Sequence, residues 1–158
     1  MKLLSTLGEV ALRNRAASVE ERFQRLASRN VPISSPIASI WRSALRARED
    51  AFATWIHGDL HPRNVLVQEG KITGIIDWGD ISSGDRATDL ASVWMLFSER
   101  SARERALIDY GADADTVLRA KGWAVLFAVM LLDTGIQDHP RHAAIGHAAL
   151  RQLQDDHA

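Results

Sequence analysis

Between residues 57 and 89 the chain places eight polar side chains that a core has little use for: His57, Asp59, His61, Asn64, Asp77, Asp80, Asp85 and Asp89. They sit beside short apolar runs, Ala53-Thr54-Trp55-Ile56, Val65-Leu66-Val67-Gln68 and Lys71-Ile72-Thr73-Gly74-Ile75-Ile76. Burying a carboxylate costs several kcal/mol unless charges or hydrogen bonds compensate. Fold stability alone does not call for so many aspartates in one stretch. The concentration points to chemistry.

Two of the oxygen donors are spaced for one cation. The runs 65–68 and 71–76 flank Glu69-Gly70 and read as a β-hairpin. With a two-residue turn, Asn64 lies opposite Ile75 and Asp77 two residues further along, roughly 7–8 Å away on the diagonal. A Gly bulge would slip that register by one. Amide and carboxylate oxygens without a thiolate select Mg²⁺ over softer metals and leave positions for phosphate and water. A second chemistry fits the same stretch. His57, Asp59 and His61 alternate on an extended segment, share a face, and could ligate a hydrolytic zinc or iron. His57 also reads as a structural histidine bonding the loop, and His61, before Pro62, as a residue that orients it.

His57-Gly58-Asp59-Leu60-His61-Pro62-Arg63-Asn64 resembles the catalytic loop of the aminoglycoside phosphotransferase family, a branch of the protein-kinase-like fold. Asp77-Trp78-Gly79-Asp80 and Gly84-Asp85-Arg86-Ala87-Thr88-Asp89-Leu90 resemble that family's metal loop and the helix after it. Three motifs agree in order and distance, sharply over residues 55–97 and in texture elsewhere. The resemblance implies transfer of the ATP γ-phosphate to a hydroxyl of a small molecule, an aminoglycoside or another amino alcohol or sugar, with Mg²⁺ and ATP as cofactors. It implies that Asp59 is the catalytic carboxylate and that Asn64 and Asp77 hold Mg²⁺. His57, Asp85 and Asp89 would support the loop, Asp89 through backbone N–H groups and Asp85 by capping the following helix. Arg63 stands where the family often has Gly.

In that family a preceding β-rich lobe covers the ATP phosphates and supplies a lysine paired with a helix glutamate. Here the residues before the loop read as helical, with Gly8 their one glycine and Lys2 their one lysine. No Gly-rich loop and no nucleotide lysine are expected. The chain is expected to correspond to the C-terminal lobe alone, the N-terminal β-lobe absent, and to be inactive by itself. A separate chain would supply the missing lobe, or the chain would serve as a non-catalytic binding or scaffold module.

The elements that must position these residues read as an α+β layout in one domain, 1–158. Residues 1–52 are predicted helical: Leu3, Leu4, Leu7, Val10 and Ala11 recur at helical spacing, and Ser18-Val19-Glu20-Glu21 reads as a capping box. A further helix starts at Pro36 and runs past Trp41 and Leu45. Residues 53–80 carry the short strands and loops. Residues 85–158 return to helix, over 85–97, 102–110, 114–133 and 139–153, jointed at Gly111, Gly135 and Pro140. The histidines at 139, 142 and 147 are expected on a surface helix, and Arg100 to Arg105 on a solvated face. Asp109, Asp113, Asp115, Asp133 and Asp138 are carboxylates that would suit a cationic acceptor.

Composition bounds the rest. In 158 residues, 46% are hydrophobic and 25% charged, values of an ordinary globular protein. Nineteen basic and twenty acidic residues leave a net charge of -1, which argues against a nucleic-acid or anionic-membrane partner. The absence of cysteine removes thiolate metal sites and Cys nucleophiles and suits the cytoplasm. The longest apolar run, Trp123 to Leu132, is about half a membrane span and reads as a core helix.

Overall fold

The structure, a computed structural model, describes residues 11–156, the side chains of 137 and 138 excepted. The helical spacing read over residues 3–10 lies outside the described residues. From residue 11 the order is a 3-10 turn (Leu12–Arg15), α1 (Ala16–Ser28), α2 (Ser35–Arg46) and β1 (Thr54–Ile56). The hairpin strands β2 (Val65–Gln68) and β3 (Lys71–Ile75) follow, then β4 (Ser82–Gly84), α3 (Ala87–Leu90) and α4 (Val93–Leu96). Three longer helices close the chain: α5 (Arg100–Tyr110), α6 (Ala114–Asp138) and α7 (Pro140–Asp155).

The core forms around α6. Its middle is apolar almost all round, with Trp123, Ala124, Val125, Val129 and Leu132 fully buried, so it must be covered from several sides. Helix α2 supplies one cover through Ile37, Ile40, Trp41 and Ala44, spaced as one helical face. Helix α7 supplies another through Gly146, Ala149 and Leu153. The approach of α6 and α7 is close: a Cβ on Gly135 would enter the backbone of Ala143, and one on Gly146 would lie 2.6 Å from the Ala128 carbonyl. Among the described residues no helix is long and apolar enough to cross a membrane.

Four local expectations change. Ser18 is not a helix cap; Leu12 and Val19 both reach the core, and the chain is already helical when it arrives at Ser18. Gly135 is no joint but an interior residue of α6, kept small by α7. The helix expected over 85–97 divides into α3 and α4, because Trp94 and Met95 donate to carbonyls three residues back and tighten the turn at Ala91-Ser92. The hairpin turns at Glu69-Gly70, both at positive φ as a primed turn requires, but its register is not even. Val65 pairs with Ile75, Leu66 with Gly74 and Val67 with Ile72, so Thr73 is bulged out. Asn64 therefore faces Ile76 rather than Ile75, and its carbonyl accepts the Ile76 N–H at 2.9 Å.

Candidate active site

Strands β1 and β4 pair antiparallel, Ile56 opposite Ser82, and this small ladder fixes where the next residues leave the sheet. His57 follows at once and is 3% exposed. Its Nδ1 accepts the Asp59 N–H at 3.3 Å, which leaves the proton on Nε2 to donate to the Ile76 carbonyl at 3.0 Å. The ring also leans on Trp78, with centroids 4.8 Å apart. Both nitrogens are thus engaged in tying the loop to the end of the hairpin. That corrects the metal-ligand reading of His57, Asp59 and His61: His57 has no lone pair to offer, and among the described residues no three His, Asp or Glu side chains converge on one point.

Gly58 has φ +83°, and a Cβ there would lie 2.5 Å from the Asp80 carbonyl. Only glycine makes that turn. Behind it stands Asp89, on α3. Its Oδ2 accepts the His57 N–H at 2.7 Å and its Oδ1 the Gly58 N–H at 3.0 Å. Burial pushes the Asp89 carboxyl above the ordinary carboxylate range, more than the two N–H groups hold it down. Asp85 sits at the entrance of α3, where Oδ1 accepts the Ala87 N–H at 3.0 Å. Both of its oxygens also meet Arg119, at 2.8 and 3.1 Å.

The turn Pro62–Asn64 brings Asn64 back beneath Asp59. The His61 side chain caps this turn by accepting the Arg63 N–H. Asn64 is buried and donates its amide N–H to the Asp59 carbonyl at 2.9 Å, and more weakly to Asp59 Oδ2 at 3.4 Å. Asp59 Oδ1 lies 3.5 Å from His61 Nε2 and is buried without a hydrogen-bond partner. Asp77 ends the hairpin in the left-handed region, φ 63°. Its carboxylate and that of Asp80 make no hydrogen bond or ion pair with any described residue. One N–H of the Asn64 amide is committed to Asp59, so its oxygen remains open. An amide oxygen and a bare carboxylate at the end of one hairpin, with no sulfur nearby, are a donor set that fits a hard divalent cation.

Beside Asp59 lies an apolar recess of about 60 Å³, walled by Met95, Phe127, Met130, Leu131 and Ile145 and reached by His61, Arg63 and His142. His142 was expected on a surface; it is instead nine-tenths buried, with Nδ1 unpartnered. Burial, then the charges of His139, Arg63 and His61, hold its pKa below the ordinary histidine value. The signal was present in the sequence: His142 shares the α7 stripe of Gly146, Ala149 and Leu153. Among the described side chains, the carboxylates of the C-terminal helices do not line the recess, and the side chain of Asp138 lies outside those described. Asp133 takes Arg22, Arg25 and Arg29, Asp109 takes Arg105, Asp113 caps α6, and Asp115 lies 3.6 Å from Arg48. Nor is Arg100–Arg105 a wholly solvated face, since Arg103 is 1% exposed and paired with Asp156.

The profile of the phosphotransferase enzyme family that includes the aminoglycoside phosphotransferases matches residues 2–125. The chain belongs to this family. Over 62 residues it is 44% identical to an aminoglycoside 3'-phosphotransferase of Escherichia coli, a match covering 37% of this chain and 23% of that protein. Over 71 residues it is 35% identical to the uncharacterized protein YcbJ of Bacillus subtilis strain 168, 44% of this chain and 22% of that one. A solved macrolide 2'-phosphotransferase type I superposes with TM-score 0.50 at 22% identity, across 95% of this chain and 56% of the other. The chain thus spans a little over half of that family structure and under a quarter of either curated relative. Its fold is the mostly helical C-terminal part of the kinase-like phosphotransferase architecture, hairpin and loops included.

Proposed function

We propose that this chain carries the catalytic loop of an ATP-dependent phosphotransferase acting on a hydroxyl of a small molecule. One observation carries the reading: Asp59 presents a buried, unpartnered carboxylate oxygen to a recess, while Asn64, hydrogen-bonded to it, stands by the hairpin end from which bare Asp77 projects. Family membership supports the same chemistry. In this reading Asp59 orients the acceptor hydroxyl and takes its proton as the oxygen bonds to the γ-phosphorus and the bond to ADP breaks. Asn64 and Asp77 hold Mg²⁺, which when bound neutralises charge on the phosphate oxygens. Asp89 and Gly58 fix the loop so that Asp59 arrives in place without reorganising. His57 locks the loop to the hairpin and moves no proton. Asp85 steadies the helix that carries Asp89.

Phosphoryl transfer depends on positioning, so the phosphates must also be covered. The strand region leaves Phe52 88%, Trp55 76% and Trp78 51% exposed, together with Leu66, Val67, Ile72, Ile76 and Ile81. So much apolar surface on one segment fits an interaction face. A nucleotide-covering lobe, on a separate chain or joined upstream, would close it. Turnover by residues 1–158 alone is expected to be undetectable, and use of ATP fits a cytoplasmic protein.

The test is single-turnover transfer from labelled ATP in protein completed with such a lobe. Asp59→Asn should lower transfer by about 10²–10⁴-fold and leave Mg²⁺–nucleotide affinity within a few-fold. Asp77→Asn should weaken that affinity and abolish transfer as well. Retained transfer in Asp77→Asn would sink the metal assignment.

A further inference from the structure

We propose that the acceptor is an apolar alcohol bearing an anionic group, its hydrocarbon in the recess beside Asp59 and its anion in an adjoining basic groove, and not a polycationic amino sugar. This rests on the phosphotransferase reading above and names the substrate class for the same site. The recess is hydrocarbon on most sides and has the Asp59 carboxylate at one end. It shares Arg63, His142 and Ile145 with a groove of about 550 Å³ whose other walls are His139, Pro140 and Arg141. Every ionisable side chain among the described residues lining the groove is basic. A bound carboxylate would meet Arg63 and Arg141, both exposed and without a carboxylate partner among the described residues, so their charge is free for a ligand.

The same charge layout rejects a polycation. Several ammonium groups need several carboxylates, and among the described residues most of those of α5, α6 and the C-terminal end are already paired, while Asp155 is exposed and does not line the recess. Asp133 answers three arginines, Asp109 answers Arg105, and Asp156 answers Arg103. Asp59 alone faces the recess, and the proposed chemistry occupies it with the hydroxyl. His142 contributes a third recognition element. Its Nδ1 is buried and unpartnered where recess and groove meet, so a polar atom of the ligand placed there would relieve an unsatisfied group.

Three probes of one length separate the charges: 8-hydroxyoctanoate, 1,8-octanediol and 8-aminooctan-1-ol. Their affinities for the 158-residue chain are read by titration calorimetry and by methyl NMR shifts of Met95 and Met130. The hydroxy acid should bind tightest, at least tenfold above the amino alcohol, with the diol between. The double variant Arg63→Gln, Arg141→Gln, both at exposed positions, should erase most of that preference while the diol is unaffected. The proposal is overturned by an amino alcohol that binds as well as the hydroxy acid, by no binding of any probe, or by a preference that survives the double variant. Binding needs no transfer, so the two readings fail separately. If the hydroxy acid binds selectively yet is not phosphorylated by the lobe-completed protein, the phosphotransferase reading fails and the site stands. If an amino sugar is phosphorylated in preference to it, the acceptor class is wrong and the reaction stands.

Discussion

The carboxylates of the helical body and those of the loop segment are treated in opposite ways. In the body each buried acid meets a guanidinium. Arg119, 2% exposed, bridges Asp85 and Asp50, and donates as well to the Arg48 carbonyl. Arg103 and Asp156 pair at 2.6 Å, and Asp133 collects three arginines. In the loop, Asp59 has a weak amide donor, Asn64, and a histidine at 3.5 Å but no guanidinium, and Asp77 and Asp80 have no partner among the described residues. Arginine is abundant enough to have served both regions. A protein selected for stability alone would not leave Asp59 without a cation, because an unpaired carboxylate oxygen near a low-dielectric wall is costly; Asp77, which is exposed, carries no such penalty. The body uses its charges to hold elements together; the loop leaves its carboxylates without a guanidinium among the described residues.

The largest effect should come from neutralising the bare set. Asp59→Asn in lobe-completed protein is expected to lower single-turnover transfer by about 10²–10⁴-fold. Its melting midpoint should stay within a degree or two of the parent or rise, since an uncompensated charge has been removed. A clear drop in melting temperature would erase the contrast and make Asp59 another structural acid.

Neutralising the paired set should do the reverse. Arg119→Met leaves Asp85 without its cation and Asp50 with Arg86 alone, and is expected to cost about 3–5 kcal/mol in denaturant unfolding. Adding Asp85→Asn to that variant should recover much of the loss, because the penalty comes from stranded charge more than from lost attraction. A double variant no more stable than the single one would show that Arg119 acts through packing.

How far each region was legible follows from the same contrast. The loop motif is local: Asp59, Asn64, the hairpin and Asp77 fall within one short stretch, so spacing alone brings them together, and the bulge at Thr73 was the one detail that pattern could not decide. The long helices were readable because α2 carries its apolar residues on one helical face and α6 holds a long apolar run. Strand β4 was not, since Ser82-Ser83-Gly84 has no alternation and exists only by pairing with β1. The ionic network was hidden as well. Arg103 lies 53 residues from Asp156, and Asp133 lies 108 from Arg25, so each looked like ordinary surface charge. His142 was missed for the converse reason, a polar residue on a stripe otherwise small or apolar.

Asp89 stands between the two sets, buried like the first and unpaired with any cation like the second, and it sharpens the comparison at intermediate size. Asp89→Asn can keep one oxygen as acceptor but turns an N–H toward the other backbone donor. Leaving that donor unsatisfied should cost about 1–3 kcal/mol. The variant should melt below Asp59→Asn, measured side by side by circular dichroism. If both melt alike, the two N–H bonds to Asp89 do not set the loop.

The smallest expected effect is in the acid limb of stability, where the two kinds of buried acid carry opposite signs. Burial raises the Asp133 carboxyl, but Arg25, Arg22 and Arg29 outweigh it and hold the group below its ordinary value. Its unfolded form therefore binds a proton first, and the stability it contributes is present above the ordinary carboxylate pKa of about 4 and lost as pH falls through the folded value. Asp89 is shifted upward, so its folded form binds the proton first. What it contributes is fully present below about pH 4 and lost as pH rises through the folded value. Melting midpoints between pH 2 and 6 should separate them. Asp133→Asn should flatten the loss of stability on acidification, whereas Asp89→Asn should leave it as steep or make it steeper, because a group that opposed it has gone. Should both variants flatten the curve, Asp89 is held as an ordinary charged carboxylate, and it belongs with the paired set after all.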